Sequence, residues 1–149
     1  MLELFENKTS AAFRVSLLLG AAVGGASSET LEILDGFSHF IGIAYQVKDD
    51  LADYHGDKGD IMLRKFSIIL SLLAEKLSPE ERQILLAAYE SDNYQVISEL
   101  IDLYDIQNVT KALLVKTIQE AKDSLDKLSN LGLKLALYEI LGKIFKEYI

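Results

Sequence analysis

The sequence of 149 residues has no cysteine, no tryptophan, one proline and two histidines. Without cysteine there is neither a disulfide framework nor a thiolate metal site, and two histidines cannot build a zinc centre without carboxylate help. A reducing, cytoplasmic setting is the expectation. The longest apolar stretch, Val15–Ala26, is glycine-rich and stops far short of the roughly 20 residues that span a bilayer. The opening MLELFENK carries acids where a secretory leader has a basic start and an apolar run, so export is not expected. Positive charge is also scarce. Fifteen Lys and Arg against 23 Asp and Glu leave a net charge of −8, which argues against nucleic acid as a partner, because phosphate backbones select basic side chains.

What is present is apolar content, at 50%, enough for one domain over residues 1–149 with a real core and no composition break. Apolar residues recur at helical spacing, strand-like alternation is missing, and the expected class is all-α, a helical bundle. A first helix is expected from Thr9 to about Val23, ended by Gly24 and Gly25. A second follows Ser27 or Ser28 and runs to about Tyr54, with Leu31, Leu34, Phe37, Ile41, Ala44 and Lys48 on one stripe. A third covers roughly Ile61–Lys76. Ser78, Pro79 and Glu81 form a capping box with proline at the first helical position, and that helix lasts to about Tyr89. Three more are expected, from after Asp92 to about Tyr104, from Ile106 to about Leu128, and from Leu131 onward.

The chemistry concentrates where the second helix ends. Tyr45–Gly56 reads YQVKDDLADYHG, a DDxxD cluster of Asp49, Asp50 and Asp53. At helical spacing Asp49 and Asp53 are neighbours on one face, with Asp50 beside them. Two bare carboxylates about 5 Å apart repel by roughly 3 kcal/mol at an effective dielectric near 20, so the group calls for a cation. Residues 49–60 hold five aspartates against one lysine, a local charge of −4. An antiparallel hairpin of the first two helices brings Lys8 and Thr9 within about one turn of Gln46 and the aspartates, at 1.5 Å per residue. Lys58 and Lys65, from the turn and the third helix, reach the same pole. Carboxylates for a divalent ion beside ammonium donors are what a diphosphate requires. An EF-hand fails here, since Asp53, His55 and Asp57 with Gly56 lack its alternating oxygen ligands. His55 reads as exposed, and Gly20, Gly24 and Gly25 as helix packing and a turn rather than a phosphate loop.

In order and spacing, Lys8-Thr9, Gly42-x-x-Tyr45-Gln46-x-x-Asp49-Asp50-x-x-Asp53, Gly56-Asp57-Lys58-Gly59-Asp60 and Lys65-x-Ser67 resemble the second half of the trans-isoprenyl diphosphate synthases, the polyprenyl synthetase family. The resemblance implies the all-α isoprenoid synthase fold, in which two aspartate-rich motifs face each other across a cavity and hold Mg²⁺ on an allylic diphosphate. It makes Asp49, Asp50 and Asp53 the second motif, with Asp49 the direct ligand and the others ligating or acting through water. Lys8 and Lys65 grip the diphosphate, Lys58 is a weaker third, and Thr9 and Gln46 line the cavity. The implied reaction condenses an allylic diphosphate with isopentenyl diphosphate.

The departures from the family pattern shape the expectation as much. There is no first aspartate-rich motif, no arginine pair after it, and the usual Phe-Gln pair is Tyr45-Gln46. The chain therefore resembles the C-terminal half of a synthase, is expected to be inactive alone, and is expected to form a homo-oligomer or to associate with an N-terminal half. The alternative is a non-catalytic or partner-subunit helical module that binds another chain.

Overall fold

A computed structural model describes residues 11–55 and 67–149. Among these there are seven helices and no strand: α1 Ala11–Val23, α2 Ser28–His55, α3 Ile68–Lys76, α4 Pro79–Glu90, α5 Tyr94–Leu103, α6 Ile106–Asp126 and α7 Leu131–Ile144. The residues form two compact units, Met1–Gln46 with Leu114–Ile149 and Val47–Leu113. Both boundaries fall inside helices, α2 and α6, and not in a linker. The first unit has Leu34, Phe37, Ile41, Leu125, Leu141 and Phe145 in its core, and the second has Leu51, Ile69, Leu73, Ile97 and Ile101.

Local chemistry explains the helix ends. Gly25 takes φ +75°, where side chains other than glycine are disfavoured, and closes α1 with two bonds: Ala26 N–H to the Ala21 carbonyl at 3.0 Å and Gly25 N–H to the Ala22 carbonyl at 3.1 Å. Ser27 then caps α2, its hydroxyl oxygen accepting from Thr30 N–H at 3.2 Å. The ring centroids of Phe13 and Tyr45 lie 6.2 Å apart, which agrees with an antiparallel α1/α2 hairpin. Asp92 and Asp105 adopt φ of 54° and 52°, single left-handed residues that end the α4 and α5 segments.

The expected third helix differs at its start. Ser67 is extended, with φ −111° and ψ 159°, and its hydroxyl oxygen accepts from Leu70 N–H, so α3 begins at Ile68; the expected start near Ile61 lies outside the described residues. A serine just ahead of Ile68-Ile69-Leu70 is a strong signal for a helix start. Asn93 and Asn130 cap α5 and α7 in the same manner.

The capping box at α4 is complete, and Tyr104 donates from the end of α5 to the carboxylate of Glu81. That hydroxyl, followed by the Ser78 N–H at 2.9 Å, holds the Glu81 carboxyl below the usual carboxylate range, while Glu81 and burial push the Tyr104 hydroxyl up. A lowered carboxyl pKa contributes stability above its unfolded value and loses it as pH falls through the folded value; a raised phenol pKa contributes below its unfolded value and loses it as pH rises through the folded one. The pair therefore supports the α4–α5 packing between those limits. Ser78→Ala is expected to cost about 1 kcal/mol by thermal melting. Tyr104→Phe should flatten the acid limb of a melting-temperature profile, and an unchanged limb would show that the pair contributes nothing.

One helix lacks cover. Of the 13 residues in α1 only Arg14 is charged, yet no described side chain of this helix is buried. Val15, Leu19 and Val23, successive i, i+4 positions, are 63%, 62% and 83% exposed. A helix apolar nearly all round normally lies inside a protein.

Candidate metal and diphosphate site

The site grows from the last turns of α2. Val47 and Leu51 point into the core at 1% exposure each, and this fixes the rotation of the helix. At 100° per residue that rotation carries Asp49 and Asp53 away from the core, and both are exposed. Among the described residues no hydrogen bond or ion pair holds either one. Exposure also weakens their mutual repulsion, from roughly 3 kcal/mol for a bare pair at an effective dielectric near 20 to about 0.2–0.5 kcal/mol. Gln46, one turn back, is half-buried.

Asp50 behaves differently from its neighbours. It is 7% exposed, and its Oδ2 accepts a hydrogen bond of 2.6 Å from the backbone N–H of Ile68, the first residue of α3. The two residues are 18 apart in sequence. A carboxylate at a helix N-terminus meets orphan N–H donors and the positive end of the macrodipole, so burial of its charge is compensated. Ser67 takes the Leu70 N–H at 3.3 Å, so side chains from two segments satisfy the opening turn of α3. Sequence spacing alone put Asp50 beside Asp49 and Asp53; the missed signal was the Val47, Leu51 and Tyr54 stripe, which leaves Asp50 on the inner edge of the helix.

Lys8, Thr9, Lys58 and Lys65 lie outside the described residues. Among the described residues no three His, Cys, Asp or Glu side chains gather to hold a metal ion. Asp49 and Asp53 make a donor pair. Two exposed carboxylates one turn apart, open to water, suit a hard divalent cation that keeps several waters and takes its other ligands from phosphate oxygens. No helix among the described residues is long and apolar enough to cross a membrane.

Comparison with solved structures places this architecture. A polyprenyl synthase from Roseobacter denitrificans superposes with a TM-score of 0.85, covering 98% of this chain and 52% of its own at 23% identity, and the fold is that of the all-α isoprenoid synthases. The sequence matches the polyprenyl synthetase family over residues 1–106, and the chain belongs to that family. It is 29% identical to a geranylgeranyl diphosphate synthase of Methanosarcina mazei, over 99% of this chain and 48% of the relative. With a short chain isoprenyl diphosphate synthase of Methanothermobacter thermautotrophicus the identity is 24%, over 98% of this chain and 48% of the relative. The chain spans about half the length of the curated relatives it matches.

Proposed function

We propose that this chain supplies the second aspartate-rich half of a Mg²⁺-dependent trans-prenyltransferase of isoprenoid biosynthesis, one that condenses an allylic diphosphate with isopentenyl diphosphate. The observation that carries this is the exposed Asp49/Asp53 pair at the end of α2, in a member of the polyprenyl synthetase family. Asp49 and Asp53 hold the cation from one helix face. Lys8 and Lys65 donate to diphosphate oxygens, Lys58 adds a weaker contact, and Thr9 and Gln46 line the space beside the reacting carbons. Mg²⁺, when bound, supplies Lewis-acid stabilisation of the departing diphosphate. The ammonium groups act in the same sense, strengthening as negative charge develops on the leaving oxygen when the allylic carbon–oxygen bond ionises. The double bond of isopentenyl diphosphate then attacks the allylic cation, and a proton is lost. The setting is cytoplasmic, in keeping with a chain free of cysteine.

These 149 residues carry one aspartate-rich motif, and the proposal includes their inactivity when alone. Calorimetric titration should show weak binding of inorganic pyrophosphate that requires Mg²⁺, and incubation with allylic and isopentenyl diphosphates should yield no elongated product. Sustained condensation by this chain would overturn the inactivity; no Mg²⁺-dependent pyrophosphate binding would overturn the site.

A second reading is favoured by the uncovered apolar face of α1: a partner-subunit module whose Val15, Leu19 and Val23 pack against another helical chain, a second copy in the pure protein.

A further inference from the structure

We infer that Asp50 is a positioning residue that ties the metal-binding end of α2 to the start of α3, and that it does not itself ligate the cation. The inference rests on the diphosphate site proposed above. Its ground is geometric. Asp49 and Asp53 face water, whereas Asp50 is buried and its Oδ2 accepts the Ile68 N–H at 2.6 Å. The N–H it engages opens α3, where Ser67 is extended and occupied in capping. Fixing Ile68 to the helix that carries Asp49 and Asp53 holds the last turns of α2 against the start of α3. Geometry of this kind matters because supporting contacts around metal sites typically carry 10–100-fold in affinity when removed.

The acceptor function can be separated from the charge. Asparagine at position 50 keeps a carbonyl oxygen for the Ile68 N–H but is a poor Mg²⁺ ligand, while alanine removes both. Mg²⁺-dependent pyrophosphate binding should weaken about 10–100-fold in Asp50→Ala and return to within about threefold of the parent chain in Asp50→Asn. Amide exchange at Ile68 should speed up in the alanine variant and stay slow in the asparagine one. A loss in Asp50→Asn equal to that in Asp49→Asn would make Asp50 a ligand and overturn the assignment. Unchanged affinity in Asp50→Ala would overturn it equally. A parent chain that binds no pyrophosphate sinks the functional proposal, and this assignment with it; a parent that binds while Asp50→Asn fails sinks this assignment alone.

Discussion

Replacing both Asp49 and Asp53 with asparagine should abolish Mg²⁺-dependent pyrophosphate binding while making the metal-free protein slightly more stable. The two effects have opposite signs for one reason. Both carboxylates are exposed and sit at the C-terminal end of a helix of 28 residues, where the macrodipole already places negative potential. Removing two like charges at i, i+4 spacing relieves about 0.2–0.5 kcal/mol, and removing them from the negative pole adds about 0.3–1 kcal/mol. Nothing in the core changes, so no packing loss offsets the gain. Binding has no such reserve, since these two side chains are the proposed protein ligands on this face. Calorimetry and thermal melting of the double variant without metal check both halves. Retained binding would assign the cation to other residues; a lowered melting temperature would show that the carboxylates have structural partners.

The purified chain should self-associate through α1, and Val15→Glu with Leu19→Glu should weaken that association about 100-fold. Full burial of a valine or leucine side chain contributes about 1.5–3 kcal/mol, so losing two such contacts amounts to about 3 kcal/mol or more. At 1.4 kcal/mol per decade this is roughly two orders of magnitude in a dissociation constant. Because both side chains already face water in the single chain, at 63% and 62% exposure, the substitutions should leave the melting temperature of the monomer nearly unchanged. Sedimentation velocity at several concentrations distinguishes the outcomes. A strictly monomeric, well-folded parent chain would argue against α1 as a docking face.

Much of the fold was legible because its boundaries are written in local chemistry. The Ser78, Pro79, Glu81 capping box and the Gly24-Gly25 stop need only their own neighbours, and the structure has helix ends at both. The expected third helix included Ser67, which instead caps α3 through a single side-chain bond to Leu70; Ile61–Leu63 lie outside the described residues. At the site, the exposed pairing of Asp49 and Asp53 follows from spacing on one helix. The burial of Asp50 was half legible, through the Val47 and Leu51 stripe. Its partner was not, because a contact spanning 18 residues depends on where α3 begins and on how it returns to α2.

The two left-handed aspartates have a consequence for how this sequence can drift. At Asp92 and Asp105 the backbone sits where β-branched and bulky residues clash, and only glycine, asparagine and aspartate enter at modest cost. Each aspartate also has a local bond, with the Tyr94 hydroxyl at Asp92 and the Asn108 amide at 2.8 Å at Asp105. Glycine would relieve the backbone but give up that bond and gain chain entropy in the unfolded state. The substitution spectrum at these two corners is therefore narrow and chemically predictable, a three-letter alphabet imposed by backbone geometry at surface positions where composition alone suggests free variation.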